Sequence, residues 1–315
     1  MLSQPVILVG AERSGSTLLR LMLDGHPTMA WNAEFEYAVD LMTDESAPHC
    51  FPDLERYIAY LELERTFPQL NRTIDPALTY PELIDSFLVQ RRDRGGKQQV
   101  GCTVHRHFDR LLKIWPDARF VHLLRDGRDV ARSVIDMGWA GNVYTGCDRW
   151  IEAETLFANM TRRLPPERHM TVLFEDLVLH PVRELTRICE FCGVAYHPAM
   201  LEYPNRTTYE APDPKIMRRW KRQMSKSDVQ LVESRIGAML LERGYELSGL
   251  PAVSVTAADE RRLRRSDYWS RVKFRVKQNG PALFAADYLT RRLGLSSLQK
   301  TVRLKLNRLE QARLK

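Results

Sequence analysis

Hydrophobic residues fall into short continuous runs that alternate with longer segments of helical periodicity. Runs that are apolar on both faces are typical of buried parallel strands, and they predict strands over Pro5–Val9, Gln98–Thr103, Arg119–Leu124 and Met170–Phe174. Helical periodicity predicts helices over Ser16–Gly25, Pro52–Arg65, Tyr80–Arg94, Phe108–Trp115, Arg128–Met137, Cys147–Leu164, Pro181–Cys192 and Ser227–Arg243. Gly25 is expected at the C′ position of the first helix.

This alternation predicts the fold class, an α/β protein with a P-loop-like three-layer α/β/α arrangement and a mostly parallel sheet. Residues 37–95 form a helical insertion in this prediction. Residues 1–250 form one domain, and residues 251–315 form a basic helical C-terminal extension. Ligands bind at the carboxyl ends of the strands in such sheets, so functional residues are expected just after Val9 and Leu124.

The charge of the chain is unevenly distributed. The 315 residues carry a net charge of +7, but residues 251–315 hold 16 Lys/Arg against 5 Asp/Glu. That segment has a net charge of +11, which leaves −4 for residues 1–250. Basicity therefore belongs to the extension, and we expect no nucleic-acid partner for the body.

Cysteine usage and hydropathy indicate a cytoplasmic protein. The five cysteines are odd in number and irregularly spaced, which argues against a disulfide framework. The first predicted strand begins almost at Met1, so we expect no signal peptide. No stretch approaches the roughly 18 apolar residues that a membrane-spanning helix needs.

The first candidate site is a phosphate loop. Residues 10–17 read Gly-Ala-Glu-Arg-Ser-Gly-Ser-Thr between a buried strand and a helix. Backbone N–H groups of such a turn and the helix N-terminus hold an anion. Ser16 stands where nucleoside triphosphatases have Lys, and the cation in this loop is Arg13. The loop therefore predicts a phosphorylated nucleotide bound without Mg²⁺.

A second candidate anion site follows the strand Arg119–Leu124. Arg125 stands at the strand end and Ser133 lies two turns into the next helix. Two sites at neighbouring strand ends suit a nucleotide that carries phosphates at its 5′ and 3′ positions. The alternative is a surface cluster of salt bridges, which is common and contributes little.

These segments resemble the sulfotransferase superfamily that uses 3′-phosphoadenosine-5′-phosphosulfate (PAPS), above all tyrosylprotein sulfotransferases and related bacterial enzymes. Four blocks carry the resemblance in the right order over about residues 5–247. They are Arg13–Pro27 as the 5′-phosphosulfate loop and helix, Phe120–Ser133 as the 3′-phosphate motif, Val172–Val194, and Arg218–Lys221 with Gly244-Tyr245 as the lid.

The resemblance implies the roles of individual residues. It places the 5′-phosphosulfate on Ser14, Gly15, Ser16 and Thr17, with Arg13 at the sulfuryl group. It places the 3′-phosphate on Arg125 and Ser133, with Arg218 or Arg219 as a further contact, and Phe174 near the adenine. Glu34, which is 21 residues after Arg13, matches the general base; Glu36 is the alternative.

The sequence departs from the family where relatives carry a Lys that stabilises the leaving phosphate. The segment reads Gly101-Cys-Thr-Val-His-Arg-His107, with Thr103 at the expected Lys position. We hypothesise that His105 supplies the missing donor as an imidazolium. Arg106 or His107 could supply it instead, and a structural histidine is an equal alternative.

Sequence reasoning therefore predicts sulfuryl transfer from PAPS to an acceptor hydroxyl of a small molecule, carbohydrate or lipid, with adenosine 3′,5′-bisphosphate as product and no metal. A nucleotide kinase or triphosphatase and a non-catalytic nucleotide binder are the alternatives. In the extension, Leu298, Val302, Leu306 and Leu309 form the apolar stripe of a basic helix. That helix could pack on the body, support a homo-oligomer or contact a membrane peripherally.

Overall fold

The computed structural model describes residues 1–314, and for Ser296 and residues 311–314 it describes the backbone alone. Five parallel strands form one sheet in the order β2-β3-β1-β4-β5. The strands are β1 Val6–Val9, β2 Met29–Glu34, β3 Gln99–Val104, β4 Arg119–Leu124 and β5 His169–Leu173.

Helices surround this sheet. They are α1 Ser16–Asp24, α2 Leu54–Leu61, α3 Tyr80–Arg94, α4 Gly127–Asp136, α5 Val143–Gly146, α6 Asp148–Thr161, α7 Phe174–Leu179, α8 Pro181–Cys192, α9 Trp220–Gln223, α10 Lys226–Glu242, α11 Ala257–Asn279, α12 Pro281–Arg292 and α13 Ser296–Leu314. Short 3-10 helices cover Glu36–Ala38, Phe67–Gln69, Phe108–Lys113, Pro166–Arg168, Pro198–Leu201, Tyr203–Asn205 and Pro214–Ile216.

Alternate residues of the central strand face opposite layers of the core. Ile7 and Val9 pack with the aromatic cluster of the insertion and with α3, whereas Val6 and Leu8 pack with α1, α7 and α8. A third cluster beyond the strand ends joins α4, α6 and α10. The predicted three-layer α/β/α fold is therefore confirmed, and the central strand is apolar throughout because both of its faces are covered.

Two local expectations were wrong. The sequence prediction contained no strand over β2, although this strand pairs with β3 at the edge of the sheet. Gly25 was expected at the C′ position of α1, but it is the C-cap residue, and its φ of −68° lies in the right-handed region. Close packing explains this glycine better, because a Cβ there would lie 2.8 Å from the carbonyl oxygen of Ala199.

The C-terminal extension consists of three helices, and the basic helix that the sequence predicted is part of α13. α11 packs on α5, where the buried Asp267 accepts hydrogen bonds from the Thr145 hydroxyl (2.8 Å) and the Gly141 N–H (2.6 Å). α13 returns to the insertion, where Asn307 donates to the Leu63 carbonyl (3.1 Å). The domain boundary near residue 250 remains a prediction.

Candidate active site

The two predicted anion sites lie at adjacent strand ends, because β1 pairs directly with β4. The phosphate loop, residues 10–17, follows β1 and leads into α1. Within it, Arg13 (φ 73°) and Gly15 (φ 98°) have positive φ, and the Ser14 N–H donates to the Ala11 carbonyl (3.2 Å). Thr17 lies in the first turn of α1. The loop is a tight turn at a helix N-terminus, as an anion cradle requires.

Gly15 is required here by packing as well as by conformation. A Cβ on this residue would lie 2.3 Å from the ring of Phe174, which is itself buried at the start of α7. The guanidinium of Arg125 lies over the same ring, 4.4 Å from its centroid. Phe174 therefore packs against Gly15 of the first anion site and Arg125 of the second. Its predicted place near the adenine remains a prediction.

Arg13 and Arg125 connect the two sites directly. The Arg13 Nε donates to the Ser133 hydroxyl (3.1 Å), so this loop residue reaches the helix of the second site. In the other direction, the Arg125 guanidinium donates to the Arg13 carbonyl (3.1 Å). The two arginines are thus adjacent, as a doubly phosphorylated ligand would need.

Arg219 is a further cation near Arg125; the sequence left open whether Arg218 or Arg219 contributes to the second site. Burial lowers the pKa of Arg125, Asp129 and Glu175 oppose that shift, and the positive charges of Arg219 and Arg13 add to it. Arg219 is therefore close to the second site. Arg218, by contrast, lines a cavity of about 840 Å³ with Trp220 and Tyr245.

The lid is anchored to the second site through its tryptophan. The Trp220 N–H donates to Asp129 (2.7 Å), and the indole N–H donates to Asp126 (2.9 Å). Asp126 also forms a buried bidentate ion pair with Arg128, whose guanidinium stacks 3.8 Å from the Trp220 ring centroid. These contacts hold the residues after β4 in a fixed geometry.

His105 lies at the end of β3 and contacts the phosphate loop. Its Nε2 lies 3.2 Å from the Ser16 hydroxyl, and its Nδ1 lies 2.9 Å from the Gly10 carbonyl oxygen. Only a protonated Nδ1 can donate to that carbonyl, so Nε2 faces Ser16 as an acceptor in the neutral ring and as a donor in the imidazolium. The imidazole is buried inside the site.

The other candidates for this position point elsewhere. Thr103 is buried within β3, where its hydroxyl accepts a hydrogen bond from the Trp31 indole (3.0 Å). Arg106 forms a bidentate ion pair with Asp40 at 2.9 Å, and His107 is exposed with φ 52°. Of the predicted residues, His105 is the one that the structure places against the loop.

Glu34 and Glu36 have different environments. Glu34 ends β2 with a half-exposed carboxylate, which pairs with Arg65 of the insertion at 2.7 Å. Glu36 is buried, and one carboxylate oxygen accepts the His105 backbone N–H at 3.0 Å. Burial raises the pKa of Glu36, and the nearby His105 partly offsets that rise. Glu34 is therefore the more exposed of the two carboxylates.

Several buried polar atoms at the two sites lack hydrogen-bond partners within residues 1–314. The Ser14 hydroxyl, Nε of Arg125 and one carboxylate oxygen of Asp129 are buried without a hydrogen bond. Buried polar groups in proteins are normally paired, and each exception calls for an explanation. Two of these atoms are donors or potential donors at the proposed anion sites, so the residues present fit a bound phosphate at each site.

Comparison with known proteins assigns the family. The chain belongs to the sulfotransferase family, whose family model matches residues 5–198. It is 26% identical over 206 residues to a protein-tyrosine sulfotransferase of Drosophila melanogaster, covering 63% of this chain and 40% of the relative. Protein-tyrosine sulfotransferase 1 of Danio rerio is 26% identical over 216 residues, covering 63% and 56%. The chain thus spans about half the length of these relatives.

Solved structures support the fold. The sulfotransferase domain from the curacin biosynthetic pathway superimposes with a TM-score of 0.54 at 19% identity, covering 78% of this chain and 99% of that domain. The sulfotransferase domain of the Synechococcus PCC 7002 olefin synthase also gives 0.54, at 20% identity, with 79% and 98% covered. The family resemblance predicted from the sequence is confirmed. Both alignments leave about a fifth of this chain uncovered.

Proposed function

We propose that this protein transfers a sulfuryl group from PAPS to a hydroxyl group of an acceptor. The observation that carries the proposal is the connection between the two anion sites through Arg13, Ser133 and Arg125. A nucleotide phosphorylated at both its 5′ and 3′ positions matches two sites that share one cleft. Membership of the sulfotransferase family supplies the chemistry.

Each site holds one end of the donor in this proposal. The loop N–H groups and the hydroxyls of Ser14, Ser16 and Thr17 bind the 5′-phosphosulfate. Arg125 and Ser133 bind the 3′-phosphate, and the proximity of Arg219 favours this residue over Arg218 as the additional cation. The binding site needs no metal, because Arg13 and Arg125 supply the positive charge.

When bound, PAPS supplies the sulfuryl group, whose bond to the 5′-phosphate breaks as the acceptor oxygen bonds to sulfur. Glu34 accepts the proton of the acceptor hydroxyl, which makes the oxygen a better nucleophile. Arg13 and the loop N–H groups face the oxygens where negative charge develops. His105, held by Gly10, donates from Nε2 toward the departing phosphate when it is protonated.

Glu34 is the better candidate for the base because its carboxylate is half-exposed, whereas Glu36 is buried. The ion pair with Arg65 orients Glu34. Glu34 is also close to Arg20, because burial lowers the pKa of Arg20 and the negative charge of Glu34 partly offsets that lowering. Glu36 contributes by fixing the His105 backbone. We therefore assign Glu34 as base and Glu36 as a positioning residue.

Two competing functions have less support. A kinase or triphosphatase would use a Lys at position 16 and an acidic residue at the end of a neighbouring strand, but here these residues are Ser16 and Arg125. A non-catalytic binder was suggested by Thr103, but this residue is buried within the sheet and His105 occupies the site. The acceptor itself is a hydroxyl compound of the small-molecule, carbohydrate or lipid class.

The test compares nucleotides and then measures transfer. We expect adenosine 3′,5′-bisphosphate to raise the melting temperature of the protein with EDTA present, and we expect ATP with Mg²⁺ to have a smaller effect. Incubation with sulfur-labelled PAPS and a panel of hydroxyl acceptors should then label at least one acceptor. Preferential stabilisation by ATP and Mg²⁺ would refute the proposed donor.

A further inference from the structure

The C-terminal extension exposes much of the apolar surface of the molecule. Of 15 large hydrophobic side chains that are exposed in the described part of the chain, eight lie between residues 268 and 304. They are Tyr268, Trp269, Tyr288, Leu289, Leu293, Leu295, Leu298 and Leu304. A contiguous exposed apolar surface in a folded protein marks an interaction site.

Five of these side chains fall within eleven consecutive residues at the turn between α12 and α13. We call residues 288–298 the hairpin tip. Leu293 is 64% exposed and Leu298 is 57% exposed. The predicted stripe of α13 explains only part of this surface, because Val302, Leu306 and Leu309 are half-buried.

The extension that carries the hairpin tip is strongly basic. The extension has a net charge of +11, whereas residues 1–250 have −4. Nine of its cations form no ion pair within residues 1–314, namely Arg261, Arg265, Lys273, Arg275, Lys277, Arg292, Arg303, Lys305 and Arg308. This surface therefore carries positive charge that the protein itself does not neutralise.

Three arginines from the three helices also converge. Burial lowers the pKa of Arg291, and the positive charges of Arg303 and Arg275 lower it further. Asp287 is the carboxylate that pairs with Arg291 at this point. A fold that brings three guanidinium groups together with one carboxylate retains net positive charge, which an anionic group from outside would stabilise.

We propose that the hairpin tip inserts into the surface of a membrane that contains anionic lipids, while the surrounding arginines and lysines contact the phosphate headgroups. Interfacial helices combine these two features, apolar side chains that enter the acyl boundary and cations that attract anionic lipids. The negative charge of residues 1–250 turns the rest of the molecule away from the same surface, so the charge asymmetry fixes its orientation.

The apolar residues distinguish a membrane from the other candidate partners. A nucleic acid would engage the cations, but it offers no apolar phase for Leu289, Leu293 and Leu298. A second copy of the chain would bring an equally basic surface against this one, and the like charges would repel. An anionic bilayer complements both the charge and the apolar side chains.

The extension also contacts the body on two flanks of the candidate active site. α11 packs on the turn at Gly138, where a Cβ would lie 2.1 Å from the Phe274 ring. The ring of the next residue, Trp139, lies 4.6 Å from the guanidinium of Arg149, which pairs with Glu12 of the phosphate loop. α13 contacts Leu63 on the other flank, two residues from Arg65 and its partner Glu34. The membrane proposal does not depend on the proposed chemistry, because it rests on the extension alone.

Sedimentation with vesicles tests the proposal on the full chain. We expect binding to phosphatidylcholine vesicles that contain 30% phosphatidylglycerol, weaker binding at high salt, and little binding to pure phosphatidylcholine. The double variant Leu289→Ser/Leu293→Ser should lower the partition coefficient at least about tenfold. Lys305→Ser/Arg308→Ser should lower it about fivefold for each charge removed.

Matched variants control for general loss of apolar or positive surface. Leu179→Ser/Leu241→Ser removes two exposed leucines from the body, and Arg162→Ser/Arg163→Ser removes two exposed arginines there. Both should bind vesicles like the unaltered protein, and all variants should retain its melting temperature. Equal binding by the tip variant and its control would overturn the proposal. A dimer in light scattering that only the tip variant abolishes, without vesicle binding, would also overturn it in favour of self-association.

Discussion

Replacement of His105 tests whether this imidazole has taken over the role of the family lysine. The ring makes two contacts, one from Nδ1 to the Gly10 carbonyl oxygen (2.9 Å) and one from Nε2 to the Ser16 hydroxyl (3.2 Å). The amide nitrogen of asparagine can occupy the Nδ1 position, but asparagine has no atom at Nε2. His105→Asn therefore preserves the structural contact and removes the proposed donor.

Loss of the Nε2 contact should lower the rate of transfer, whereas loss of the Nδ1 contact should lower the folding stability. Loss of a preorganised donor to a developing charge lowers kcat by about 10²–10³, which corresponds to about 3–4 kcal/mol in the barrier. Loss of the Gly10 contact would instead leave a buried carbonyl unpaired and cost about 1–3 kcal/mol of folding stability. His105→Asn should show mainly the first effect, whereas His105→Ala should show both.

The assay is single-turnover transfer from labelled PAPS, combined with urea unfolding and with titration of adenosine 3′,5′-bisphosphate. We expect His105→Asn to retain its stability and bisphosphate affinity while kcat falls at least 100-fold. His105→Lys should recover part of the lost rate, since an ammonium restores the charged donor. If His105→Asn lowers kcat less than threefold, the imidazole is structural and the reasoning is wrong.

Three further substitutions separate the remaining roles. Glu34→Gln should lower kcat about 10²–10⁴-fold without changing bisphosphate affinity. Glu36→Gln can still accept the His105 N–H, so this variant should change kcat little. Equal losses of kcat in the two variants would refute the assignment of the base. Arg125→Lys cannot bridge the carbonyls of Arg13 and Ile216 as the guanidinium does, so calorimetry should show bisphosphate binding at least about tenfold weaker. Burial raises the pKa of Glu154, but His122 and Arg243 lower it by more, so the pKa in the folded protein is below 4.5. This carboxylate therefore contributes stability above pH 4.5, and that stability is lost as the pH falls through the folded pKa. Urea unfolding of Glu154→Gln should show about 3 kcal/mol lower stability at pH 7 and a weaker loss below pH 4.5; an unchanged acid limb would contradict this.

The sequence predicted the parts of the fold that local patterns determine. β4, α3 and α8 have the predicted bounds, and the parallel sheet follows because the apolar runs alternate with helices. The same loop and strand-end patterns located Arg13 and Arg125 in one cleft. These features depend on residues that are close in sequence.

The features that sequence reasoning missed depend on distant contacts. β2 reads Met-Ala-Trp-Asn-Ala-Glu, whose mixed polarity resembles a loop, and its pairing partner β3 lies about 70 residues away. The ion pair between Glu34 and Arg65 requires the insertion to fold back over the sheet edge. Likewise, the sequence did not indicate the turn before Trp220, where Arg218 has a φ of 47°.

The hydrogen bond from Arg13 to Ser133 has a consequence for nucleotide selection. Because one side chain spans both subsites, a ligand that fills only the first would disturb this bond without supplying a charge at the far end. Adenosine 5′-phosphate and ATP lack the 3′-phosphate, so neither can satisfy Arg125 and Ser133. Under the proposed function, this shared side chain would discriminate against these nucleotides, which a cell contains in large excess.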